Sequence, residues 1–117
     1  MIPAIQSALS GLSAHSAKIN SNANNIANAS SEGFKKSRVI LSAGEPQGVI
    51  ARSQQVEAPG PMMVEQSGNG MELIGQSNVD IGQELPELSL NTRCYEANLK
   101  TLQTADEMLG GLLKIKA

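Results

Sequence analysis

Residues 5–38 read IQSALSGLSAHSAKINSNANNIANASSEGFKKSR, and two patterns are superimposed in them. Ile5, Leu12, Ile19 and Ile26 recur every seven positions, and Ile2, Leu9 and Ala23 complete steps of three and four around them. That spacing describes a helix whose narrow apolar stripe seats against another helix. Pro3 lies where a first helical turn tolerates it, because its missing N–H would have no intrahelical partner. Over the last turns of the same stripe fall Asn20, Asn22, Asn24, Asn25 and Asn28, five poor helix formers within nine positions. Their amides mimic backbone groups and favour helix ends and turns, or contacts with a neighbouring chain. Asn28, Ser30, Ser31 and Gly33 then end the helix, so 1–32 is expected to be an N-terminal helix and its exit.

The far end repeats the arrangement. Ile81, Leu88, Tyr95, Leu102 and Leu109 are again seven apart, and Leu85, Leu99 and Leu113 stand four positions after members of that row. A second amphipathic helix is expected over 80–117, with Asp80 and Gln83 as a capping box and Lys114 and Lys116 near its electronegative end. Glu96 and Lys100 form an i,i+4 pair in the favoured order. Pro86 conflicts with a helix begun at Asp80, since it removes a donor and crowds the carbonyl of Gly82. A kink there, or a start near Pro86, is the expectation. Thr92 and Asp106 interrupt the apolar row, as drift of a straight helix by ~20° per heptad would allow.

Between the ends the character changes. Residues 33–79 hold short β-rich runs, VIARSQQV at 49–56 and MMVEQ at 62–66, punctuated by APGP at 58–61 and SGNG at 67–70. A small β-hairpin element is expected, and one of that size is marginal in water without neighbours. The fold class is therefore α+β: long terminal helices forming a coiled-coil-like pair, with a β-rich connector, all in one unit over 1–117.

Composition narrows the function. Leu, Ile, Val and Phe make up about 23% of the chain, near the ~20% level below which disorder sets in. Phe34 and Tyr95 are the only aromatic residues, and the formal charge is −2, so nucleic-acid stacking platforms and attraction to phosphate are lacking. No run approaches the ~18 apolar residues of a membrane span, and stable membrane insertion is not expected. The opening Met-Ile-Pro-Ala-Ile-Gln-Ser has neither a basic leader nor an unbroken apolar core, so a cleaved secretory signal is not expected. Cys94 is the single cysteine, which excludes an intrachain disulfide and reads as a small packing residue. His15 has no His, Cys or carboxylate at ligand spacing and reads as a helix-face residue. Gly68, Gly70 and Gly75 lack the lysine of a phosphate-binding loop. Phe34 is expected to anchor the helix-to-β transition, and Lys35, Lys36 and Arg38 to be a solvated cluster. No catalytic, cofactor or metal site is expected.

At this point the residues resemble a family. SALSGLSAHSAKINSNANNIANASSEGFKKSRV, with Ala23-Asn24-Asn25-Ile26-Ala27-Asn28 followed by Gly33-Phe34-Lys35, is similar to the N-terminal motif of the bacterial flagellar axial proteins that build the basal-body rod and hook. SNVDIGQELPELSLNTRCYEANLKTLQTADEMLGGLLKI resembles the C-terminal motif of the same family, with Ser77-Asn78-Val79, Arg93, Tyr95-Glu96, Asn98 and Thr104 through Leu109. The short middle fits a small rod protein, although NNIANASSEGFKKSR is closer to the hook and distal-rod versions. The resemblance implies a non-enzymatic structural protein of the flagellar basal body, exported by the flagellar type III apparatus without a cleaved signal. Its partners would be copies of itself and other axial proteins. The implied assembly interface comprises Ile5, Leu9, Leu12, Ile19, Asn24, Asn25, Ile26 and Asn28 on the first helix, and Leu88, Tyr95, Leu99, Leu102, Leu109 and Leu113 on the second. A different class of function is a cytosolic coiled-coil adaptor or chaperone-like module that binds a partner helix.

Overall fold

A computed structural model describes residues 2–116 of the chain. Helix α1 (Ile2–Ala27) leads into strands β1 (Ser37–Ala43), β2 (Val49–Gln55), β3 (Met62–Ser67) and β4 (Gly70–Gly75), and helix α2 (Ile81–Lys116) follows. The strands form two separate antiparallel hairpins, β1 with β2 and β3 with β4. The helices pack against each other, and the first hairpin lies on α1. The molecule measures 80 × 24 × 19 Å. Its radius of gyration is 20.8 Å, against ~13 Å for a compact chain of this length.

The helices run antiparallel: Asn22 meets Glu84 and Asn91, while Gly11 lies against Asn98. On α1 the buried residues are Ala8, Gly11, Ala14, Asn22 and Asn25. This row is displaced by one residue from the aliphatic row Ile5, Leu9, Leu12, Ile19 and Ile26. One residue turns a helix by about 100°, so the aliphatic row flanks the seam instead of filling it. Alanine and glycine let the backbones approach closely. A Cβ at Gly11 would come within 2.8 Å of the Asn98 side chain.

On α2 the corresponding face carries Glu84, Asn91, Asn98 and Ala105, again seven apart. Leu88, Tyr95 and Leu102 alternate with them and are half-buried. Thr92 and Asp106 are exposed, and the Thr92 hydroxyl donates to the Leu88 carbonyl. The expected drift of the stripe is thus replaced by a regular seam that bypasses both residues.

Helix α2 starts before Pro86 and continues through it. Asp80 supplies the cap: its Oδ1 accepts from the Gly82 N–H at 2.9 Å, and its carbonyl accepts from the N–H groups of Gln83 and Glu84. A start near Pro86 is therefore corrected to Ile81. The cap secures the first turn, and the missing Pro86 donor deprives only the Gly82 carbonyl of its bond. With 36 residues against 26, α2 exceeds α1 by roughly 15 Å. Met108, Leu109, Leu112, Leu113 and Ile115 are exposed along its last turns, where Gly110 and Gly111 have open space around them.

The first hairpin pairs Ser37 with Gln55 through Ala43 with Val49. Alternation places Val39, Leu41, Val49 and Ala51 inward and Arg38, Ile40, Ile50 and Arg52 outward. Its turn is fastened to α1 where the Ser10 hydroxyl accepts from the Val49 N–H at 3.1 Å and donates to the Ser7 carbonyl. The second hairpin runs from Met62 opposite Gly75 to Ser67 opposite Gly70, with the expected SGNG turn. Between the hairpins Gly60 is pressed onto the chain leading into α2, where an added Cβ would collide with the carbonyl oxygens of Gln76 and Ser77.

Gly60→Ala should lower stability by about 1–3 kcal/mol, the usual cost of forcing extra atoms into a closed contact. Gly68→Ala, where nothing lies within 4 Å, serves as the control. Urea midpoints followed by circular dichroism check both.

Candidate functional site

The asparagine run meets α2 and β1 at a polar junction. Asn25 is 1% exposed. Its Nδ2 donates to the Ser37 carbonyl at 2.8 Å, and its Oδ1 accepts from the Ser37 N–H at 3.0 Å. A side chain thereby takes the place of a partner strand at the first residue of β1, and the Ser21 hydroxyl adds a second donor to the same carbonyl. Asn25, expected on an assembly surface, is internal, because both halves of its amide are engaged within the chain.

Asn22 performs the equivalent task between the helices. Its Nδ2 donates to Glu84 Oε2 at 2.7 Å and lies 3.4 Å from Glu87 Oε2, while its Oδ1 accepts from Asn91 Nδ2 at 2.9 Å. Glu84 is only 5% exposed. A short hydrogen bond to the carboxylate offsets part of the cost of burying it.

Other amides complete the frame. Asn28 turns back on α1, donating to the Asn24 carbonyl and accepting from the Ser31 hydroxyl. Gly33, at φ +64°, then reverses the chain, in a conformation that glycine adopts without strain. Asn78, from the Ser77-Asn78-Val79 triplet, accepts from the Lys36 N–H at 2.7 Å and donates to the carbonyls of Val56 and Ala58. The Phe34 carbonyl accepts from the Asn78 N–H. Glu84, Asn91 and Asn98 were signalled by their seven-residue spacing, and Asn78 by its place two residues before the helix cap. Asn78 and Asn98 already belong to the family-like C-terminal motif, whereas Glu84 and Asn91 acquire their meaning only as partners of Asn22.

Beside this junction a cleft of ≈ 420 Å³ opens between α1, β1 and α2, with Lys18, Lys36, Arg38, Glu84 and Glu87 on its walls. Charges of both signs line it, without a paired nucleophile and base. Among the described residues no three His, Cys, Asp or Glu side chains gather as a metal site, and no helix is long and apolar enough to cross a membrane. His15 is half-buried, with an Nδ1 that has no hydrogen-bond partner. Cys94 is half-buried and free.

The remaining candidate interface residues divide into two groups. Leu9, Leu99, Leu109 and Leu113 are exposed, Leu9 by 52%. Ile5, Leu12, Ile19, Ile26, Leu88, Tyr95 and Leu102 are half-buried along the edges of the helix pair. Asn24 is exposed, and Asn28 is half-buried.

Asn25→Ala strands the N–H of Ser37 and leaves its carbonyl to the Ser21 hydroxyl alone, a loss of about 1–3 kcal/mol for an unsatisfied buried group. Asn24→Ala, on the outer face, should be nearly neutral. Amide exchange at Ser37 checks the difference: the first substitution should open it and the second should not.

Residues 5–35 match the family model described as "Flagella basal body rod protein". Residues 74–115 match the one described as "Flagellar basal body rod FlgEFG protein C-terminal". The two matches fall in the order and at the ends that the family arrangement requires, and take in nearly all of both helices together with the Asn25 and Asn78 clamps. No curated protein matches the chain at a significant level. With its two helical ends each matched to a rod model, the chain belongs to the flagellar basal body rod proteins.

Proposed function

We propose that the chain is a non-catalytic structural subunit that polymerises through its terminal helices, with copies of itself and with other axial proteins of the flagellar rod. The observation that carries this reading is the amount of surface left open. A compact protein of 12.3 kDa exposes about 6,100 Å². This chain exposes 8185 Å². The excess is comparable to a full protein–protein interface of roughly 1,600 Å² or more.

The open surface is also of the right kind. Among the described residues the buried hydrophobic ones are Ala8, Ala14 and Ala105, whereas the larger aliphatic side chains stand along the rims of the helix pair and on the end of α2. A row such as Leu9 with Ile5 and Leu12, mated with the Leu85 and Leu99 row of another copy, would bury what one copy cannot. A contact between two different surfaces does not close on itself, and it generates a filament. Stiff helices ~39 and ~54 Å long then carry load along the axis.

Export through a type III channel is consistent with the same sparse core. Three buried alanines and a set of amide bonds resist threading far less than a packed aliphatic interior, since each fully buried Leu or Ile would add about 1.5–3 kcal/mol.

Leu9→Asp and Leu99→Asp place charge on exposed seams and should leave helicity unchanged while weakening self-association by at least about tenfold each. Sedimentation velocity over a concentration series, with circular dichroism on the same samples, reads both. A wild-type chain that stops at a small closed oligomer would favour the adaptor reading instead.

A further inference from the structure

The second hairpin stands alone. Its base is tied where the Gly33 N–H donates to the Gly75 carbonyl. Beyond that, among the described residues, β3 and β4 pack on no other helix or strand. Two-stranded ribbons are marginal in water. Both faces are nevertheless loaded with apolar side chains, and Met71 is 82% exposed.

One face carries an unusual arrangement. Glu65 stands directly opposite Glu72, next to Met63 opposite Ile74. Like charges directly across a ladder destabilise it. No lysine or arginine occurs anywhere from 62 to 75 to relieve them.

The complementary surface lies on the first hairpin. Its outward face presents Ile40 opposite Arg52, with Arg38 and Ile50 on the neighbouring rungs of the ladder. Neither strand contains a carboxylate. The dimensions agree as well, since six and seven residues per strand give ribbons of ~20 and ~23 Å. Within one chain the two hairpins do not touch.

Building on the self-assembly reading, we infer that the Glu65–Glu72 face of β3–β4 docks on the outward Arg38–Arg52 face of β1–β2 in a second copy of this chain. The two carboxylates then lie against the two guanidinium groups, and Met63 and Ile74 cover Ile40 and Ile50. Each copy offers its ribbon to one neighbour and receives a ribbon from another. The contact adds a link outside the helices, and it sets which copy stands next to which.

Reversing the charges tests it. E65K/E72K and R38E/R52E, made as two separate variants of the full chain, should each lower self-association by about tenfold or more in sedimentation velocity. Mixed in equal amounts they should recover it, because each restores the opposite sign to the other. The quadruple variant in one chain should recover it too, and helicity by circular dichroism reports that each variant is folded. Assembly of either single-surface variant at the wild-type concentration overturns the inference, as does failure of both the mixture and the quadruple variant to recover. In those cases a wild-type chain that still polymerises leaves the helix-mediated reading standing. A wild-type chain that stays monomeric at every concentration defeats both.

Discussion

The bond pair between the Asn25 amide and the backbone of Ser37 is the point on which the rest of the structure turns. It fixes where α1 yields to the first strand, and so sets the position of the first hairpin along the helix. The strand then runs back over α1 for about 23 Å, matching the ~23 Å of helix between Asn25 and Ser10, where the Val49 N–H is received. Asn22, one turn earlier, binds the carboxylate and amide of α2 that lock the two helices in register. Polar groups of this kind are poor sources of net stability, but they are exacting about geometry, because any misalignment leaves a desolvated donor or acceptor without a partner.

That choice explains the division of labour among the side chains. A helix pair joined by alanine, glycine and amides can close while its aliphatic residues stay half-buried or exposed. Leu9 and Leu99 are left exposed, at the cost of a chain with little hydrophobic core of its own. Under the proposed function the arrangement separates two tasks: amides define the shape of one subunit, and aliphatic rows are free to join subunits.

Much of this is legible in the sequence. The seven-residue spacing located both helices, and the APGP and SGNG stretches marked turns beside the strands that formed. Periodicity could not show which side of the stripe faces the partner, because Ala8 and Gly11 are compatible with either side until the opposing residue is known. The role of Asn25 within the chain is hidden for the same reason: an amide suits a surface as well as a junction, and the backbone it serves lies 12 residues further on. The local cost of Pro86 argues for a later helix start, but the Asp80 cap secures the turn before it. Strands β1 and β4 carry mixed patterns that only pairing resolved.

The last turns of α2 have a mechanical implication. Gly110 and Gly111 sit side by side near the end of α2, where a Cβ added to either would meet no other atom within 4 Å. Each glycine weakens a helix by roughly 1 kcal/mol relative to alanine. Together they make this end of α2 easier to bend than an alanine pair would. In an assembly of the kind proposed, a tail jointed in this way would absorb curvature at the joint and spare the amide-locked body from deforming.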